Sequence, residues 1–178
     1  GLWRGIKHRE KVASQDVLTK MPNRLYINSR IRKQIERREP FGIMMMDVDY
    51  FKSINDTLGH AVGDELLVEV AKRLKAIADN DLIFARLGGD EFVGLSTGIR
   101  VEEGDEICQK VLDSVRQDCH LSCGTINVTA SIGYAAFPLH TDNPDKVMNY
   151  ADAALYEVKK LGRNGYQIFR KELLKNLR

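Results

Sequence analysis

The stretch Arg86-Leu87-Gly88-Gly89-Asp90-Glu91-Phe92 constrains this chain more than any other. The apolar run Leu82-Ile83-Phe84-Ala85 leads into it, and Phe92-Val93-Gly94-Leu95 leads out. Two short apolar runs joined by a Gly-Gly turn predict a β-hairpin. The acids at its tip are the unusual part. Glycines let a backbone approach a ligand closely, because no Cβ intervenes. Neighbouring carboxylates repel each other unless a cation sits between them. A divalent-metal and phosphate site fits such a tip. An ordinary acidic turn is the alternative that these residues alone leave open.

A sequence of 178 residues suggests one domain with a core of its own. Apolar residues make up 43% and charged residues 29%, as in soluble globular proteins. Lys plus Arg number 27 and Asp plus Glu 25, a net charge of +2, which argues against a general nucleic-acid binder. Cys108, Cys119 and Cys123 show no disulfide-like spacing, so a reducing, cytoplasmic location is expected, within a parent protein that a membrane anchor could tether. Cys119, His120 and Cys123 could suggest zinc, but no fourth ligand is evident. No apolar stretch approaches the ~18 residues of a membrane span, so no membrane contact by this domain is expected. The first residue is Gly1 rather than Met, and an excised domain is the expectation.

Along the chain, residues 1–13 read as an incoming helix or linker, 14–170 as the folded domain, and 171–178 as a charged tail. Asn23 is placed to cap a helix with Leu25, Ile27, Ile31 and Ile35 on its apolar side. Gly42-Ile43-Met44-Met45-Met46 is a buried strand pattern that runs into Asp47-Val48-Asp49. A buried carboxylate there needs a partner, and a metal shared with Asp90 would supply one. Residues two apart on a strand share a face, so spacing does not separate Asp47 from Asp49.

Tyr50 to Leu58 reads as a short helix or turn. A long amphipathic helix follows, with Leu66, Leu67, Val70, Ala71, Leu74, Ile77 and Ala78 inward and Asp64 at its start, where capping would also explain the acid. Residues 101–117 predict another helix, and 125–134 a strand. Val147, Ala151, Ala154, Leu155, Val158 and Leu161 line the inner side of a last helix that Gly162 ends, and 166–169 is a final strand. Helices alternating with strands around a central hairpin predict an α/β fold layered on one sheet.

The signature stretch resembles, letter for letter, the motif that names the GGDEF diguanylate cyclase family. Further blocks match in order: Asp16-Val17-Leu18-Thr19 with Pro22-Asn23-Arg24, Asp47 through Asp56, Gly59 through Asp64, Ala130 through Gly133, Tyr150 through Tyr156, and Lys159 through Asn164. Lys20 departs from the pattern, since glycine is usual there. The resemblance implies a central, mostly antiparallel five-stranded sheet flanked by helices, similar to the nucleotide cyclase and polymerase palm.

It also implies a reaction: two GTP molecules condense to cyclic di-GMP and two pyrophosphates across a two-fold homodimer. Two Mg²⁺ or Mn²⁺ ions per site would be held by Asp47, Asp90 and the carbonyl of Val48. Glu91 would ligate a metal or take the 3′-hydroxyl proton. Phe51 and Lys52 would offer amides to the phosphates, with the Lys52 ammonium offsetting charge on the transferred group. Asn55 and Asp64 would read guanine, and His60 would touch substrate nearby. Lys159 and Arg163, four apart on one helix face, would hold the terminal phosphates; favourable charge at a helix C-terminus also explains them.

The alternative is a GTP-binding regulatory module that controls an attached phosphodiesterase or effector. An upstream sensor or downstream domain is expected in either case. Many members also bind product through an Arg-x-x-Asp motif five residues before the signature. Here those positions read Asp79-Asn80-Asp81-Leu82. Product inhibition through that motif is therefore not expected.

Overall fold

In the computed structural model of the chain, residues 14–177 are described. The incoming segment expected at 1–13 lies outside them. The fold is built on β1 (Phe41–Val48), whose residues are almost all buried because both faces are apolar. On one side it pairs antiparallel with β3 (Glu91–Thr97), and on the other with β6 (Ala130–Phe137). Strand β2 (Leu82–Gly88) pairs antiparallel with β3, completing the expected hairpin. Strand β7 (Gly165–Ile168) lies parallel to β6. The order is β2-β3-β1-β6-β7, so the sheet is mixed, with three antiparallel pairings and one parallel.

Helices cover both faces. The long helix α3 (His60–Ile77) and α4 (Gly104–Val115) pack Leu66, Val70, Leu74, Val111 and Leu112 against Met44, Met46 and Ile132. Helix α1 (Arg24–Arg37) and α5 (Val147–Lys160) pack Ile27, Ile31, Ala151 and Ala154 against Ile43, Val93 and Ala135. Between β1 and α3 lies the eight-residue helix α2 (Phe51–Leu58). Gly133 lets α5 approach β6 closely, since a Cβ there would stand 2.3 Å from the Ala151 carbonyl oxygen.

Asn23 caps α1 as expected, its Oδ1 accepting from the Tyr26 amide at 3.0 Å. Lys20, where glycine was the expected residue, stands at φ 63°, a conformation that glycine adopts without steric cost. Other expectations needed correction. Leu25 and Leu161, placed inward by periodicity, are 69% and 74% exposed. Each sits at an end of its helix, where there is no facing layer. Helix α4 begins at Gly104, after a 3₁₀ turn at Gly98–Glu102.

The strand expected over 125–134 is two strands in two sheets. Gly124–Ile126 (β5) folds back on Cys119–Leu121 (β4), and β6 starts only at Ala130. Asn127 breaks the run, because its side-chain amide bonds the Arg116 carbonyl at 2.6 Å. The zinc arrangement does not form either. Cys119 is buried while Cys123 is exposed, and His120 Nδ1 pairs with Thr125 Oγ1 at 3.1 Å. The charged segment after Phe169 packs onto α5 as a 3₁₀ turn, Lys171–Asn176, with Leu173 wholly buried and Asn176 donating to Glu157 Oε2 at 2.7 Å. Among the described residues, no helix is long and apolar enough to cross a membrane.

Candidate active site

A cleft of about 630 Å³ opens where β1, the β2–β3 turn, the start of α2 and the end of α5 meet. Such a volume suits a nucleotide-sized ligand. Asp47 and Val48 come from β1, Asp90 from the turn, and Phe51 and Lys52 from α2. Lys159 and Arg163 close it from the α5 side. Seven of the residues singled out in the sequence thus line one space.

The signature turn is tightly supported. Gly88 and Gly89 take φ of 145° and 49°, which glycine alone adopts freely. The Arg86 guanidinium donates to the Gly89 carbonyl at 3.0 Å and to both oxygens of Asp16 at 3.1 Å. The hydrogen bonds Asp16 accepts from Thr19 and Arg86 outweigh the burial that acts in the opposite sense, and hold its carboxyl below the usual range. Asp90 is therefore presented by a turn pinned to the first described residues. Burial, and then the charge of Asp47, push the Asp90 carboxyl above its usual range.

Asp47 and Asp49, which spacing left equivalent, are separated by their surroundings. The Asp47 carboxylate faces the cleft and accepts a hydrogen bond from the Lys159 ammonium. Asp49 is 3% exposed and fully engaged, accepting from Thr129 Oγ1, Ser131 Oγ and the Asn164 amide. Only Asp47 is available to a ligand.

No side chain caps the start of α2, where Tyr50 stands at φ 57°. Its first amides and the positive end of its dipole meet the cleft, a natural seat for phosphate. Lys159 and Arg163 do not share a helix face, because α5 ends at Lys160. Arg163 follows in a left-handed turn (φ 67°), its guanidinium 5.4 Å from the Tyr50 ring centroid.

Four singled-out residues lie outside this cleft's lining. Glu91, opposite Asp47 in the β1–β3 register, is exposed and lines a smaller hollow with Asp47, Asp152 and Lys159. His60 and Asp64 are exposed on α3, and Asp64 stands beyond the first turn, so it does not cap the helix. Asn55 is in α2, its Oδ1 shielded from water without a hydrogen-bond partner. A Cβ at Gly63 would stand 1.8 Å from that oxygen, so glycine is what makes room for it. Tyr50, Ser53 and Asp56 also line the cleft and were not singled out in the sequence. Polar residues of a short helix carry no separate signal, and a left-handed Tyr50 is not legible from its letter.

The acid pair has the chemistry of a hard-cation site, since carboxylate and carbonyl oxygens suit Mg²⁺ and Mn²⁺. The Lys159 ammonium on Asp47 shows that this position favours positive charge. Among the described residues, no three His, Cys, Asp or Glu side chains form a metal cage. Mg²⁺ is commonly held by one or two carboxylates together with substrate phosphates, so the residues fit.

Known proteins resemble this chain in sequence and in fold. The family described as "Diguanylate cyclase, GGDEF domain" matches residues 13–165. The bifunctional diguanylate cyclase/cyclic di-GMP phosphodiesterase MucR of Pseudomonas aeruginosa is 36% identical over 170 residues, covering 93% of this chain and 25% of that protein. Diguanylate cyclase TpbB of the same species is 36% identical over 163 residues, covering 88% of this chain and 37% of TpbB. The chain thus spans about a quarter to a third of these relatives' length. A solved structure comprising only the GGDEF domain of TpbB superimposes with a TM-score of 0.81 at 34% identity, covering 90% of this chain and 97% of that one. The signature turn, the fold beneath it and these likenesses place the chain in the GGDEF domain family of diguanylate cyclases.

Proposed function

We propose that this domain condenses two GTP molecules into cyclic di-GMP, releasing two pyrophosphates. The observation that carries this is one cleft joining the Asp47–Asp90 pair, the uncapped start of α2 and the cations Lys159 and Arg163. Acids for metal, amides for phosphate and cations for the terminal phosphates are what nucleotidyl transfer requires.

Two Mg²⁺ or Mn²⁺ ions, held by Asp47, Asp90 and the Val48 carbonyl, would neutralise the triphosphate and align the attacking and leaving oxygens. The chain's own groups do the rest. Lys159 exchanges its bond to Asp47 for the terminal phosphates, beside Arg163. The Phe51 and Lys52 amides orient the phosphate chain, and the Lys52 ammonium offsets charge that develops on it. Glu91 holds a metal or takes up the 3′-hydroxyl proton. Asn55 and Asp64 accept from the guanine N1 and N2 hydrogens, with His60 beside them. The Asn55 oxygen has no partner where it stands, and turning it outward to a bound base edge would relieve a cost of about 1–3 kcal/mol, which supports this role.

Each domain offers one such cleft, so a two-fold product requires two domains face to face. Incubation with GTP and Mg²⁺, followed by chromatography, is expected to show cyclic di-GMP, with a rate per domain that rises with protein concentration. Absence of product at every concentration would overturn the reading.

A further inference from the structure

We propose that Asp49 is a positioning residue for triphosphate binding, acting through the turn that carries Arg163 rather than by touching substrate. The inference rests on the phosphate role given to Arg163 above. Asp49 is buried at the end of β1, and its Oδ1 accepts from Ser131 Oγ at 2.6 Å. Its Oδ2 accepts from Thr129 Oγ1 at 2.6 Å and from the Asn164 amide at 2.9 Å. Asp49 is absent from the cleft lining. The bond to Asn164 reaches the segment leaving α5.

That segment has an unusual backbone. Gly162, Arg163 and Asn164 take φ of 115°, 67° and 51° in succession. The first is an ordinary helix stop. The Arg163 amide reaches the Val158 carbonyl at 2.9 Å and the Gly162 amide reaches that of Lys159 at 3.4 Å, the pattern of a Schellman motif. Left-handed backbone at the next two residues is not required by that stop; Asn164 tolerates it, but at Arg163 it persists only where the surroundings hold it. Asp49 grips Asn164 from the sheet. Arg116, on the other side, donates to Asn164 Oδ1 at 2.9 Å and to its carbonyl at 3.3 Å. Held from both sides, the turn sets Arg163 over the Tyr50 ring at the cleft wall. A long cation aimed by its backbone loses less freedom on binding phosphate than one that must search for it.

The test reads the turn with and without nucleotide. In the nucleotide-free protein, Asp49→Ala is expected to speed hydrogen exchange at the Asn164 amide by about tenfold or more. With GTP it is expected to raise KM about tenfold while kcat changes by less than about threefold, and to add nothing when Arg163→Ala is already present. Asp49→Asn should restore most of both, because its amide oxygen still accepts from the Asn164 N–H. If Asp49→Ala does not fold, Arg116→Ala loosens the same turn from the solvent side and is expected to speed the same exchange. Unchanged exchange at Asn164, a loss confined to kcat, or full additivity with Arg163→Ala would each overturn the proposal. If the parent domain binds no GTP, the nucleotide reading falls by itself, and the exchange at Asn164 still decides whether Asp49 holds the turn.

Discussion

The two ends of β1 are built to opposite rules. Near Phe41 the buried side-chain polar groups among the described residues have partners. The Tyr134 hydroxyl is buried, donates to the Val101 carbonyl at 2.6 Å and meets Ser96 Oγ at 2.7 Å, all packed over Gly42. Near Asp47 the chain keeps an acid whose ionisation its neighbours oppose, an amide oxygen without a donor, and left-handed residues at Tyr50, Arg163 and Asn164. Satisfied packing yields stability, whereas unsatisfied groups yield places for a ligand. The same strand serves both because its apolar residues between the two ends are buried, apart from the half-buried Met45.

The largest test of this contrast is at Asp90. Asp90→Asn is expected to lower turnover by at least about 10²–10³-fold. The same change should raise the melting temperature in EDTA, because it removes a charge that burial and Asp47 disfavour, with about 2–4 °C for each kcal/mol relieved. A variant that loses activity and stability together would break the contrast.

Asn55→Ala comes next. Discrimination of GTP against ATP is expected to fall by about 10–100-fold, the worth of one buried hydrogen bond to a base edge. Stability without nucleotide should not fall, since Asn55 Oδ1 has no partner to lose. Gly63→Ala, which crowds that oxygen, should mimic the selectivity change.

At the other end, Gly42→Ala would place a Cβ 2.0 Å from the Tyr134 hydroxyl oxygen. A loss of about 1–3 kcal/mol in denaturant unfolding is expected, with KM for GTP unchanged in the folded protein. A shift in KM would show that the two ends are coupled through the strand.

The smallest expected effect is at Asp79 and Leu82. Asp79 accepts from Arg100 at 2.9 and 3.1 Å, and Leu82 is 1% exposed in the core. Leu82 is closed off from a ligand, and the exposed Asp79 carboxylate would repel a dianionic dinucleotide. Calorimetric titration with cyclic di-GMP is expected to show no binding that depends on residues 79–82, and tight binding lost on altering them would contradict this.

Much of this molecule was legible in its letters. The Gly-Gly turn between apolar runs announced the β2–β3 hairpin, Asn23 its helix start and Gly162 a helix stop, because those signals act over a few residues of backbone. Helix periodicity located α3 and α5 but misjudged Leu25 and Leu161, since a residue at a helix end can be in phase with the core and still face no neighbouring layer. Local pattern also ran β5 and β6 together, because Asn127 and Thr129 are pulled aside by Arg116 and Asp49, 11 and 80 residues away in sequence.

The same reason explains the site. Composition and motif brought forward the acids, the cations and the amide-bearing residues. Only the packed chain distinguished Asp47, the last acid within β1, from Asp49 just past its end, because what separates them is what the β6 and α5 ends place beside each. Short-range backbone preferences are written residue by residue, whereas the fate of a buried carboxylate depends on donors that folding alone brings within reach.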